Sequence, residues 1–227
     1  MFLRILKKDL SRKKTMNLIL ILFIFLASMF VASGLNNVIT VSNGTDYYLD
    51  EAKVGDYIVI TTGENSVGSL DDMLATTKEI KSYRMEELVF GNQDNLSQEN
   101  GTKIETKNML LLQAYDKSGI NYYGVDNEIL PDLKEGHCYV TGTFFLKNDM
   151  EPGDKLCYEM NGVELELIID GKAKDALLGS DFMGNTRVLL SIEDMDKLTS
   201  DEIISRYYMG QACYIDTDDS NCYKKGS

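Results

Sequence analysis

From Leu18 to Leu35 the chain is apolar apart from Ser28, Ser33 and Gly34, and no charged residue occurs between Lys14 and Asp46. A helix rises about 1.5 Å per residue, so this run, with Met16 and Val38 to Val41 available to extend it, can cross a hydrocarbon core of roughly 30 Å. Leu18, Leu22, Phe25, Leu26, Phe30 and Leu35 mark that span. The alternative is a cleaved export signal, whose apolar core is usually about 7 to 15 residues followed by small residues at the cut. Val31-Ala32-Ser33 could serve as such a site, but the apolar run overruns the signal range before reaching it, which favours retention. A lipoprotein signal has less support, because the first cysteine is Cys138.

Charge then sets the expected orientation. Arg4, Lys7, Lys8, Arg12, Lys13 and Lys14 precede the span against a single acid, Asp9, and basic flanks stay on the cytoplasmic side. Without those six bases and one acid the chain keeps 17 bases against 35 acids, a formal charge of −18. A short basic inner tail (residues 1–14), a span (15–41) and a large acidic domain outside the cytoplasm (42–227) follow from that asymmetry. So acidic a surface repels phosphate, which argues against nucleic acid as a partner. Leu3, Leu6 and Leu10 of the tail could lie on lipid while its bases meet anionic headgroups; a tail that only sets topology is the equal alternative.

The outer segment has a length suited to one domain, and with two prolines in the whole chain and no low-complexity linker nothing divides it. Its pattern predicts a mixed α+β fold in which strands outnumber helices. Asp56–Thr61, Glu87–Phe90, Asn108–Tyr115 and Asn121–Val125 read as strands, the last two joined by a turn at Lys117-Ser118-Gly119. Ser69 is placed to cap a helix reaching about Ile80. In KLCYEMNGVELELIID, Asn161-Gly162 stands between two alternating runs and suits the positive φ of a tight hairpin, with Val163, Leu165, Leu167 and Ile169 facing the core. A strand at Arg187–Leu190 leads to Ser191, which with Asp194 forms a capping box for a helix over Ile192–Leu198. Thr199 and Glu202 repeat that arrangement before a helix near Asp201–Tyr208, and Gln211–Asp216 reads as a closing strand.

Catalytic chemistry is scarce. His137 is the one histidine; Cys138 follows it directly, but neighbours on a strand point to opposite faces, so the pair reads as structural. No zinc-ligand spacing, no phosphate loop of the GxxxxGK[ST] kind and no nucleophile with a nearby base occurs, which predicts no catalytic, cofactor or metal residue. Asp216 to Asn221 (DTDDSN) lacks the glycine and distal glutamate of a calcium loop and reads as a solvated acidic turn. Asn43-Gly44-Thr45, Asn95-Leu96-Ser97 and Asn100-Gly101-Thr102 match the glycosylation triplet, which carries meaning only in a eukaryotic secretory route. All four cysteines follow the span, where disulfides persist; Cys213 with Cys222 would close the shortest loop, and free buried thiols are the equal alternative.

The order of basic tail, span and VITVSNGTDYYLDEAKVGDYIVIT resembles the start of the FtsX-like permeases of ABC transporters, a family that includes the MacB type. Leu146 to Leu198 is similar to the end of that family's extracytoplasmic core domain: Gly153-Asp154 opens a hairpin, Gly171 follows its second strand, and a Met/Leu-rich loop precedes a strand ending in Ser191 and an acidic helix. The resemblance implies a permease subunit that makes and breaks no bonds itself. It would relay the motion of a separate ABC ATP-binding subunit through the first span to the outer domain, for export or extraction of a substrate, in a lipid bilayer and with room for a second permease copy. Such permeases carry further spans after the outer domain, so the chain is expected to be the N-terminal part of a longer permease, a fragment or a truncated product. A single-span anchored binding or sensor protein without an ATPase fits the same topology.

Overall fold

The computed structural model describes residues 14–106, 109–117, 119–180 and 183–217, and divides into two units, Met1–Tyr47 and Tyr48–Ser227. Arg4, Lys7, Lys8, Arg12 and Lys13 lie outside the described residues; Lys14 opens the first helix. The fold is α+β.

Helix α1 covers Lys14–Glu51. It is long and apolar enough to cross a membrane, and over residues 16–41 it keeps its large apolar side chains exposed, from Leu26 at 41% to Phe30 at 77%. It continues past Val41, where the hydropathy falls, because no proline interrupts residues 42–51 and Gly44 is their only glycine. The chain turns out of α1 through Lys53 (φ 58°) and Gly55 (φ 79°). A Cβ on Gly55 would meet the Ile215 carbonyl oxygen at 2.9 Å, so both the conformation and the close approach demand glycine.

Among the described residues the second unit is built on a sheet of nine strands: β1 Tyr57–Thr62, β2 Ile80–Gly91, β3 Leu96–Gln98, β4 Leu110–Ala114, β5 His137–Thr141, β6 Lys155–Met160, β7 Val163–Ala173, β8 Thr186–Leu190 and β9 Met209–Thr217. Their order across the sheet is β1-β9-β2-β4-β8-β5-β7-β6-β3, with β4/β8 and β5/β7 parallel and the other neighbours antiparallel. The helices of this unit are α2 Glu64–Thr76, α3 Thr143–Lys147, α4 Ile192–Thr199 and α5 Glu202–Tyr207.

Period-2 alternation sorts the central strands into two cores. Val89, Leu112, Val188 and Leu190 join Met195 and Leu198 of α4 and Ile204 of α5 in one cluster. Their sequence neighbours Leu88, Leu111 and Leu189 join Tyr115, Tyr122 and Tyr139 in another. Strands covered on both faces read as unbroken apolar runs, which is why LLL in β4 and VLL in β8 show no alternation. A smaller cluster seats Leu70 and Leu74 of α2 on Cys213 and Ile215.

The hairpin is as its sequence predicts: Asn161 (φ 51°) and Gly162 (φ 81°) turn β6 into β7 with Met160 opposite Val163, Leu165, Leu167 and Ile169 are buried, and Glu164 and Glu166 are exposed. Four local expectations change. Helix α2 starts at Glu64, so Ser69 lies inside it, and it stops at Thr76, where the Thr76 and Thr77 hydroxyls donate back to the Asp72 and Met73 carbonyls. Ile80 therefore opens β2. Residues 121–125 form no strand; Tyr123 makes only isolated bridges with Ile129 and Lys174, because the segment is occupied in gripping the end of α1. The cap of α5 is Asp201, whose carboxylate accepts from the Ile203 and Ile204 amides. Ser191 does cap α4, but Asp194 turns away from a reciprocal box and accepts from the Ser191 hydroxyl (2.8 Å) and the Gly136 amide (2.6 Å), tying α4 to the start of β5.

Candidate functional site at a fork in the sheet

A helix leaves its last carbonyls without partners, and α1 has no basic residue in its last turn to cover them. The β4–β5 connection supplies the donors. Asn121 Nδ2 reaches the Glu51 oxygen at 2.8 Å, the Tyr123 hydroxyl reaches the same oxygen at 3.0 Å, and the Asn121 amide donates to Ala52 at 3.1 Å. From β2, Arg84 Nη2 donates to the Lys53 oxygen at 2.8 Å. Ala52 and Val54 are buried in the tyrosine-rich core beside Tyr122. Glu51 to Val54 belong to the second unit and are packed and hydrogen-bonded within it.

Arg84 also belongs to a cleft. Strands β2 and β4 pair only over Val89–Gly91 and Leu110–Leu112; beyond that, β2 stays with β9 and β4 stays with β8. The sheet forks there, and a cleft of about 330 Å³ opens between Arg84–Glu87 on one prong, Gln113, Ala114 and Asp116 on the other, the Gly119–Ile120 turn, and Ile192, Met195 and Asp196 of α4. Glu86 is its best-held group. Its carboxylate accepts from Arg84 Nε (3.2 Å), the Ile120 amide (3.0 Å) and the Gln113 side-chain amide. A Cβ on Gly119 would stand 2.5 Å from Glu86 Oε1, so a side chain there would push the Glu86 carboxylate out of its present position.

Behind the cleft the polar chain continues inward. The Tyr122 hydroxyl donates to Gln113 Oε1 at 3.3 Å and accepts from Arg187 Nη1, and Arg187 Nε faces Asp175 Oδ2 at 3.2 Å. Asp175 is further held by the amides of Leu177 and Gly179 at 2.8 and 2.7 Å. Both charged side chains are buried. Burial alone would lower the Arg187 pKa, but the Asp175 carboxylate beside it opposes burial and the net shift is upward, so the guanidinium stays charged. Burial raises Tyr122 well above its ordinary value, Arg187 opposing, so that phenol stays neutral.

His137 opens β5 with Nδ1 at 2.7 Å from Asp170, while Cys138 faces the opposite side, fully buried, its thiol pKa pushed up by burial. They do not meet. Cys138, Cys157 and Cys213 carry free thiols; Cys222, the candidate partner of Cys213, lies outside the described residues, as does most of DTDDSN. Among the described residues no group of three His, Cys, Asp or Glu could hold a metal ion. Sequence reasoning passed over Arg187, Asp175, Tyr122, Gln113 and Asn121. The signal available was one arginine inside an otherwise buried strand, TRVLL.

Fold and helix together define a class: an α+β domain preceded, among the described residues, by one helix long and apolar enough to cross a membrane. No protein-family model matches the chain, and no curated protein does. A solved structure described as a "Putative Lipoprotein from Bacillus anthracis" is similar at 13% identity and a TM-score of 0.37, over 74% of this chain and 87% of that one.

Proposed function

We propose that the chain is the N-terminal part of an FtsX-like ABC transporter permease subunit, retained in the membrane by α1 with its N-terminus in the cytoplasm and its acidic domain outside. In this reading a separate ATP-binding subunit hydrolyses ATP, and the permease passes the resulting movement along α1 into the outer domain for export or extraction of a substrate. No side chain of this chain makes or breaks a bond. The observation that supports it is the grip of Asn121, Tyr123 and Arg84 on the carbonyls of Glu51 to Lys53, since a relay needs the end of the moving helix fastened to what it moves. The test is co-purification of the membrane-extracted protein with an ATP-binding subunit, followed by ATPase measurements on the complex. Asn121→Ala with Tyr123→Phe should leave the basal ATPase intact and weaken substrate transport. ATP turnover by residues 1–227 alone, removed by a substitution within them, would overturn the reading.

A second reading is favoured by the cleft at the sheet fork: a single-span anchored binding or sensor protein without an ATPase. It predicts that no ATP-binding subunit co-purifies and that Asn121→Ala with Tyr123→Phe affects stability only.

A further inference from the structure

We infer that Asn161 is a site of spontaneous covalent modification, deamidated through its neighbour Gly162, and that the change releases the β6–β7 tip from the cap of α5. The inference is independent of the permease reading. An asparagine before glycine can be attacked at its side-chain carbonyl carbon by the glycine amide nitrogen, which no Cβ shields. That pair occurs three times in the chain, at Asn43-Gly44, Asn100-Gly101 and Asn161-Gly162, and the structure separates the three. Gly44 lies inside α1, where helix geometry commits its amide to a carbonyl four residues back. The Gly101 amide donates to the Gln98 oxygen at 2.9 Å. Gly162 sits in the exposed loop between the paired residues Met160 and Val163, and among the described residues its amide donates to no group. Asn100 and Asn161 each have a side chain held by one partner, Asn100 Oδ1 by the Thr102 amide and Asn161 Nδ2 by the Asp201 carboxylate, so the free nitrogen decides between them.

The reaction balances with water alone. The Gly162 nitrogen gives up its proton and bonds to Asn161 Cγ, the Cγ–Nδ2 bond breaks, and ammonia leaves, closing a cyclic imide. Water then opens the ring. Attack at Cγ leaves aspartate on an ordinary backbone; attack at the Asn161 backbone carbonyl leaves isoaspartate, with the chain rerouted through Cβ. Either product undoes the tie to α5. Asn161 Nδ2 donates to the two Asp201 oxygens at 2.9 and 3.1 Å, and its replacement is a second carboxylate facing the first, where like charges repel. Asp201 also accepts from the Ile203 and Ile204 amides, so the repulsion falls on the cap of α5. Isoaspartate further adds a backbone atom to a turn whose length sets the strand register. At Asn100 the same change is silent, because a carboxylate oxygen accepts from the Thr102 amide as the side-chain oxygen of asparagine does.

The experiment is peptide mapping by mass spectrometry on the full chain, held in neutral maltoside micelles at mildly alkaline pH and sampled over weeks. Acid should replace amide at Asn161 at least about fivefold faster than at Asn43 or Asn100, the factor that one net hydrogen bond is worth. In denaturant, where no amide is held, the three rates should converge. Asn161→Asp supplies the product directly: it should melt below wild type, and added salt should narrow the gap. Asn161→Asp with Asp201→Asn exchanges donor and acceptor while keeping a capping side chain, so it should recover most of that loss. Asn100→Asp should melt like wild type. Conversion absent at Asn161 or led by another site, the same ranking in the folded chain and in denaturant, or no recovery in the exchanged pair would each overturn the assignment.

Discussion

Arg187 and Asp175 face each other at 3.2 Å with side-chain exposures of 0% and 1%, an ion pair closed off from solvent in the middle of the sheet domain. Removing one member of such a pair leaves the other charged and unpaired in an apolar setting, which typically costs about 3–5 kcal/mol. Asp175→Ala is expected to destabilise the domain by that order, and the loss of its bonds to the Leu177 and Gly179 amides adds to the effect. Arg187→Met with Asp175→Leu should cost less than Asp175→Ala alone, because no orphaned charge remains. Chemical denaturation of wild type and the two variants decides it; a double variant as unstable as Asp175→Ala, or less stable, would contradict the expectation.

The β6–β7 turn gives a second expectation. Asn161 and Gly162 both hold positive φ, and a β-branched residue pays roughly 1–2 kcal/mol for that conformation. Asn161→Val with Gly162→Val should therefore lower the melting temperature clearly. Part of the loss comes from Asn161 Nδ2, which reaches the Asp201 carboxylate at 2.9 and 3.1 Å and so ties the hairpin tip to the cap of α5. Asn161→Gly keeps the backbone freedom and removes only that tie, so it should fall between wild type and the double valine variant. A double valine variant melting like wild type would place the strain elsewhere.

How much of this was legible depended on how local the determinant is. The hairpin, β8 and the Ser191 cap rest on residues a few positions apart, and their sequence shows them plainly. The end of α2 turned on two threonine hydroxyls bonding back to Asp72 and Met73, a competition that hydrophobic periodicity does not register. Residues 121–125 have the β-branched and aromatic content of a strand, yet their tertiary task is to cover the carbonyls of Glu51 and Ala52, some seventy positions away in sequence. The cleft was further out of reach. It exists because β2 and β4 part after three residue pairs, and that register depends on strands from opposite ends of the domain. The acids that line it look in sequence like any solvated surface.

Alkaline pH offers a third test. Burial, with smaller contributions from Asp132, Tyr139 and Asp116, pushes Tyr115 up to about 12, and Tyr122, Tyr139, Tyr158 and Tyr214 move in the same direction, with burial the first cause in each. An unfolded tyrosine releases its proton near 10. Between about 10 and 12 the folded state therefore binds more protons than the unfolded state, and stability falls as pH rises; below 10 this contribution is fully present. Near-ultraviolet tyrosinate absorbance should rise together with loss of circular dichroism above pH 10. Smooth titration of these phenols near 10 with the fold intact would contradict the burial of the tyrosine-rich core.

The last expectation concerns α1. Phe25 lies within the apolar run and is 62% exposed, a side chain that needs lipid or another apolar partner around it. An arginine at the centre of a span costs about 2.5–3.5 kcal/mol on the insertion scale. Phe25→Arg should therefore shift the expressed protein from the membrane pellet toward the soluble or degraded fraction, whereas Phe25→Leu should leave it in the pellet. The same fractionation distinguishes a retained span from an export signal. In wild type a retained α1 keeps the N-terminal residues on the membrane-bound protein, and N-terminal sequencing reads this directly. A mature chain beginning near Gly34 and released into the medium would show that α1 is cut away, and with it would go the relay proposed through the carbonyls of Glu51 to Lys53.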